Sequence, residues 1–192
     1  RCTPSRRLLR PGATTAPTIK VTQANRTLTI FPRVGGTDGL AKTGPGTLVL
    51  SNANFYTGPT TIQAGILTLG DSLAIQNSVL DTASSVAGNA TNGLRTTVAA
   101  LTLGGLSGNK DFASLFTKTA GGYDTVTGLT LNPGSGVTNT YSGIITNGAA
   151  GTVPTYTYRG PTDTTAPIAE SQVCFKCHSS WTTQPAGQSD TA

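Results

Sequence analysis

Leucine recurs at alternate positions in short runs along this chain: Thr47-Leu48-Val49-Leu50, Ile66-Leu67-Thr68-Leu69, Leu101-Thr102-Leu103 and Leu129-Thr130-Leu131. A period of two is that of a half-buried strand. No window carries apolar residues at i, i+3, i+4 and i+7 over the length a helix needs. Gly, Asn and Pro separate the strand-sized pieces between about 36 and 151. Gly and Asn accept left-handed backbone at low cost, so these positions are expected to turn corners. Gly104-Gly105-Leu106-Ser107-Gly108 reads as one such turn. Upstream, Thr18 to Phe31 (TIKVTQANRTLTIF) predicts two short strands around Gln23-Ala24-Asn25, so residues 18–35 are short strands or an N-terminal cap.

The pieces repeat. Asn54-Phe55-Tyr56-Thr57-Gly58 returns as Asn139-Thr140-Tyr141-Ser142-Gly143, and successive Leu pairs lie about 19, 34 and 28 residues apart. Such spacing suits solenoid coils with loops of variable length, Leu and Val stacked inside and Thr facing outward. Gly39-Leu40-Ala41-Lys42-Thr43-Gly44-Pro45-Gly46-Thr47-Leu48-Val49-Leu50, continued through Asn54-Phe55-Tyr56-Thr57-Gly58 to Ala64-Gly65-Ile66-Leu67-Thr68-Leu69-Gly70, closely resembles the autotransporter-associated β-strand repeat. The resemblance is dense over about 35 residues and looser to about residue 150. It implies an all-β fold, a right-handed parallel β-helix (β-solenoid), in a bacterial secreted or cell-surface protein, and it brings no catalytic residues. No membrane β-barrel module follows in this sequence, so autotransport by the chain itself is not expected.

Charge divides the chain unevenly. Only 11% of residues are charged and Met is absent. Arg1, Arg6, Arg7, Arg10, Lys20, Arg26 and Arg33 precede any acid, whereas six bases and eight acids follow from residue 34. Residues 1–17, with Pro4, Pro11 and Pro17, read as a basic, solvated tail rather than an arm for DNA, acidic glycans or membrane surfaces. A nucleic-acid partner is not expected, because the body is faintly acidic. No apolar run approaches the roughly 20 residues of a membrane helix. The chain starts at Arg1 without an apolar signal core, which fits an exported protein whose leader lies outside this sequence.

After the repeats, residues 152–173 carry Pro154, Pro161 and Pro167 and read as an extended Pro/Thr-rich linker, with a short edge strand at Thr155 to Tyr158. Residues 174–192 hold the one motif with its own chemistry, Cys174-Phe175-Lys176-Cys177-His178. Two thiols three positions apart can form thioethers to the two vinyl groups of one haem. The next residue, His178, can then supply the proximal iron ligand. The chain has three Cys and one His, and two of those Cys directly precede that His. Ser171 to Ser180 is also similar to haem-binding segments of exported multi-haem cytochromes, which supports one covalent haem c on Cys174, Cys177 and His178. A Cys174–Cys177 disulfide and a partial metal site are the competing readings, although zinc would need a further ligand.

With neither Met nor a second His, the distal ligand is left open: a Lys amine, the N-terminal amine, Tyr156 or Tyr158, water, or a group from another chain or from sequence beyond Ala192. Trp181 either packs on the porphyrin or stands at a solvent edge, and Cys2 is a leftover thiol. Asp71, Asp81, Asp111 and Asp124 are widely spread, so a paired-carboxylate hydrolase would require folding to gather two of them. A non-enzymatic role follows. The expectation is a secreted β-solenoid haem protein, structural, self-associating into filaments, and passing electrons to redox partner proteins. The alternative is a purely structural adhesin or matrix protein.

Overall fold

The computed structural model describes residues 16–145 and the backbone of residues 155–158. Its strands are β1 (Thr18–Lys20), β2 (Thr27–Ile30), β3 (Leu40–Thr43), β4 (Thr47–Leu50), β5 (Pro59–Ile62), β6 (Ile66–Leu69), β7 (Ile75–Asp81), β8 (Gly93–Thr96), β9 (Ala100–Ser107), β10 (Gly128–Leu131) and β11 (Thr155–Tyr158). The described residues contain no α-helix; two 3-10 turns, Phe112–Leu115 and Tyr123–Thr125, are the only helical elements among them.

From β1 to β9 consecutive strands do not pair. One sheet runs in the order β1-β3-β5-β7-β9-β10-β11 and the other β2-β4-β6-β8, and every pairing is parallel. Up to β9 each strand hands the chain to the opposite sheet and meets its partner one coil later, as a β-solenoid requires, whereas β9, β10 and β11 pair in sequence order within the first sheet. Between the sheets runs a third wall of irregular rungs, where the Phe55 amide donates to the Val34 carbonyl at 2.8 Å and the Asn54 amide to the Leu73 carbonyl at 3.3 Å. The Gln23–Asn25 turn is in place, but β1 and β2 on its two sides pair with β3 and β4, not with each other.

Leucines stack by register. Leu28, Leu48, Leu67 and Leu94 oppose one another down the second sheet, and the last three are wholly buried. Burying one such side chain contributes about 1.5–3 kcal/mol. Leu28, on the outermost described rung of that sheet, is 44% exposed. At the other end Phe116 bridges to Leu94 and packs with Phe112 and Tyr123, ring centroids 5.1 and 5.2 Å away.

Three expectations need correction. The four Leu runs are not one column: β4 and β6 belong to the second sheet, while Leu101–Leu103 in β9 and Leu129–Leu131 in β10 belong to the first. The rung between them is β8, hidden in sequence because Thr96 stands where Leu50 and Leu69 stand in β4 and β6. Nor do threonines all face outward: Thr60 and Thr96 are fully buried, and each can be because its hydroxyl is hydrogen-bonded inside. Residues 104–107 are not a turn but the second half of β9, where Leu106 pairs with Leu80. Gly104 is needed there because a Cβ would lie 2.4 Å from the Asn77 carbonyl carbon of the neighbouring rung.

Candidate functional site

The polar side chains inside the coils brace one rung against the next. Asn54 is buried in the third wall. Its Oδ1 accepts from the Val34 amide at 2.8 Å and its Nδ2 donates to the Ala74 carbonyl at 2.8 Å, so one amide spans three successive rungs. Beside it, the Tyr56 hydroxyl lies 2.8 Å from Thr60 Oγ1, which lies 2.7 Å from Ser78 Oγ, which donates to the Gly58 carbonyl at 2.7 Å. Ser78 has one proton and spends it on that carbonyl. Thr60 must therefore donate to Ser78, and Tyr56 to Thr60. Burial pushes the Tyr56 phenol up to about 12.

The second Asn-x-Tyr-x-Gly segment is built on similar lines. Asn139 Nδ2 reaches the Gly104 carbonyl at 3.5 Å, and the Tyr141 hydroxyl lies 3.1 Å from the carbonyls of Lys110 and Ile144. Both closing glycines are tight: a Cβ would lie 2.7 Å from the Gly39 amide at Gly58 and 2.3 Å from the Lys110 carbonyl at Gly143. The repeat seen in sequence therefore marks an inward Asn and Tyr and a close-packed Gly, while the position between Asn and Tyr is free to vary.

Two lysines clamp neighbouring coils, Lys42 from the interior and Lys110 from a half-buried position, and sequence reasoning missed both. Lys42 is fully buried, and its ammonium donates to the carbonyls of Thr43, Gly44 and Ala64 at 2.9, 2.8 and 2.9 Å. Lys110 Nζ donates to Ala83 at 2.9 Å and also to the Ser85 carbonyl. Alternation could have flagged Lys42, since Leu40 and Lys42 occupy the same face of β3, but a lysine in a strand normally signals solvent.

Carboxylates are spent on corners. Asp71 accepts from the Leu73 amide at 2.8 Å, Asp81 from Ser84 at 3.1 Å and Asp111 from Ile144 at 2.9 Å. No group of three or more His, Cys, Asp or Glu gathers among the described residues. On the outside of the third wall the Arg33 guanidinium lies 4.8 Å from the ring centre of exposed Phe55. Cys174, Cys177 and His178, with Cys2 and Trp181, lie outside the described residues.

Residues 40–69, running from the first residue of β3 to the last of β6, match the family described as Passenger-associated-transport-repeat. The chain is also similar to the Adhesin BmaC autotransporter of Brucella suis biovar 1 (strain 1330), with 38% identity over 132 residues. That alignment covers 67% of this chain and 4% of the much longer relative. No solved structure matches. The autotransporter-type repeat read in the sequence is thus met at β3–β6, the coils that hold Lys42, Asn54, Tyr56 and Thr60. No helix among the described residues is long and apolar enough to cross a membrane.

Proposed function

We propose that this chain is a structural length of a bacterial surface adhesin: a non-enzymatic β-solenoid rod, secreted or held at the cell surface, whose outer walls meet partners. The observation that carries this reading is the likeness to an autotransporter adhesin over 132 residues, joined to a repeat match that begins and ends on strand boundaries. The architecture suits the role. Parallel rungs rise by about 4.8 Å each, and the interior is filled with stacked Leu and satisfied polar braces, so partners are left to the walls and loops. Protease treatment of intact cells that make the protein tests the reading. Cleavage without lysis is the expected result; full protection in intact cells, with cleavage after lysis, would sink it.

A second reading concerns the segment beyond the solenoid. We infer a covalent haem c on Cys174 and Cys177 with His178 as the proximal ligand, and with it extracellular electron transfer. Its support is the chain's single His standing directly after a C-x-x-C pair. The donor set fits the group, since two thiols and an imidazole are what its attachment uses. Residues 1–192 offer no Met or second His for the sixth position, so a ligand from another chain or from sequence beyond Ala192 belongs to the same proposal. A pyridine–reductant spectrum of the denatured protein, made in a host that matures c-type cytochromes, should show haem c bands that Cys174→Ala with Cys177→Ala removes. If wild type shows none, the haem reading is lost and the adhesin reading stands.

A further inference from the structure

The outer face of the first two coils carries the exposed phenylalanines among the described residues: Phe31 is 71% and Phe55 51% exposed. They stand on adjacent rungs. The Phe31 carbonyl accepts from Asn52 Nδ2 at 3.2 Å, and the Phe55 amide donates to Val34, the neighbour of Arg33. Arg33 is held with its guanidinium over the Phe55 ring. Stacking of this kind occupies the flat face of the guanidinium and leaves its N–H edge available to a carboxylate. An exposed ring serves no packing purpose of its own, and the inward residues of the same segment, Asn54 and Tyr56, already brace the rungs.

Charge adds direction. Arg33 is the one cation on this wall of the first two coils; Asp38 stands at the far end of the wall, and Lys20 and Arg26 flank the corner between β1 and β2 instead. A partner that uses both the guanidinium edge and the rings has to carry an anionic group beside an apolar surface. A hexuronic acid unit does both: its pyranose C–H face packs on an aromatic ring while its carboxylate meets the guanidinium edge in a two-point contact. A neutral sugar would use only the rings, and a lipid phosphate only the guanidinium. Single-stranded nucleic acid could use both, but the surface setting argued above favours the glycan.

We propose that Phe31, Arg33 and Phe55 form a binding face for an acidic, uronate-bearing polysaccharide. The proposal deepens the surface-adhesin reading and rests on it for the choice of partner, yet purified protein can fail to bind whether or not intact cells expose it.

The test is calorimetric titration of the full chain with a size-defined oligogalacturonate, with dextran of equal length, an oligothymidylate and phosphatidylglycerol vesicles run in parallel. Oligogalacturonate should bind and weaken with added salt, since ion pairs at an exposed face are screened. Arg33→Ala and Phe55→Ala should each reduce its affinity at least about fivefold, the scale of one lost charge-assisted or ring contact. Arg33→Lys should lose affinity too, because it keeps the charge and loses the flat two-point contact, while Lys118→Ala should bind like wild type. Thermal melts confirm that the variants fold. Failure of oligogalacturonate to bind, equal binding of dextran, tighter binding of oligothymidylate or vesicles, or indifference to both Arg33→Ala and Phe55→Ala would each overturn the proposal.

Discussion

The ammonium of Lys42 lies 2.9 Å from the carbonyl oxygen of Ala64, a residue one coil further along the solenoid. Burial lowers its pKa from 10.5 to about 8. Between those values the unfolded chain holds a proton that the folded chain has released, so this group makes stability rise with pH across the window. Below about pH 8 both states carry the charge and the whole cost of burying it is present. Wild type should therefore gain on Lys42→Met, in urea midpoint, as pH is raised from 8 to 10. A difference that stays constant with pH would show that the amine titrates as in water.

Tyr56 carries the opposite sign. Its phenol keeps a proton in the folded state between about 10 and 12 that the unfolded chain loses, so it takes stability away as pH rises there. Phenolate absorbance should show one of the five tyrosines ionising late, and Tyr56→Phe should abolish that late step. At neutral pH, Tyr56→Phe and Ser78→Ala should each cost about 1–3 kcal/mol in denaturant unfolding, as a buried hydroxyl or carbonyl is left unsatisfied. The double variant should cost less than the sum, because both changes break one directional chain through Thr60.

Gly39 and Gly136 share left-handed backbone, at φ +79 and +73, but not surroundings. A Cβ at Gly39 would lie 2.1 Å from the Pro59 carbonyl oxygen of the next coil, whereas at Gly136 nothing lies within 4 Å. Gly136→Ala should cost about 1–2 kcal/mol, the backbone penalty alone. Gly39→Ala should cost several-fold more, or prevent folding, because two rungs must separate. Comparable melting temperatures for the two variants would refute the close approach.

Phe116→Ala removes the ring that closes the Leu28–Leu48–Leu67–Leu94 column and should cost about 3–5 kcal/mol. Coils contact chiefly their neighbours, so the loss should be local. Amide exchange should accelerate in β8 and around the 3-10 turns at Phe112–Leu115 and Tyr123–Thr125, while β3 to β6 keep their protection. Uniform acceleration would mean that the solenoid unfolds as one unit.

The strand class and the coil logic were legible because they depend on local rules: Leu at alternate positions, and Gly where the chain must bend, a rule that failed at Gly104 and Gly105 inside β9. The edge strand at Thr155–Tyr158 was read from the same alternation and pairs with β10. Which sheet each run joins was not legible. Coil length between Leu67 and Leu94 is 27 residues where its predecessor, Leu48 to Leu67, needs 19, and register across such an insert is set by packing that sequence spacing does not carry. Lys42 and Thr60 escaped for another reason. Polar residues are assigned outward by default, and only the three-dimensional neighbours, Ala64 for one and Ser78 for the other, show that their hydrogen bonds are met inside. For the outer wall, the segment Asn-x-Tyr-x-Gly located the brace but gave no sign that Arg33 and Phe55 would meet.

Rungs of 19, 20 and 27 residues bring Leu28, Leu48, Leu67 and Leu94 into one unbroken ladder. Added length is expelled at the corners, as in residues 82–92, and the ladder does not register it. A rod made this way separates what it must keep from what it can change. Loops can lengthen, shorten or trade residues while the spine stays in step, so the molecule can alter the face it shows to its surroundings without relearning how to fold.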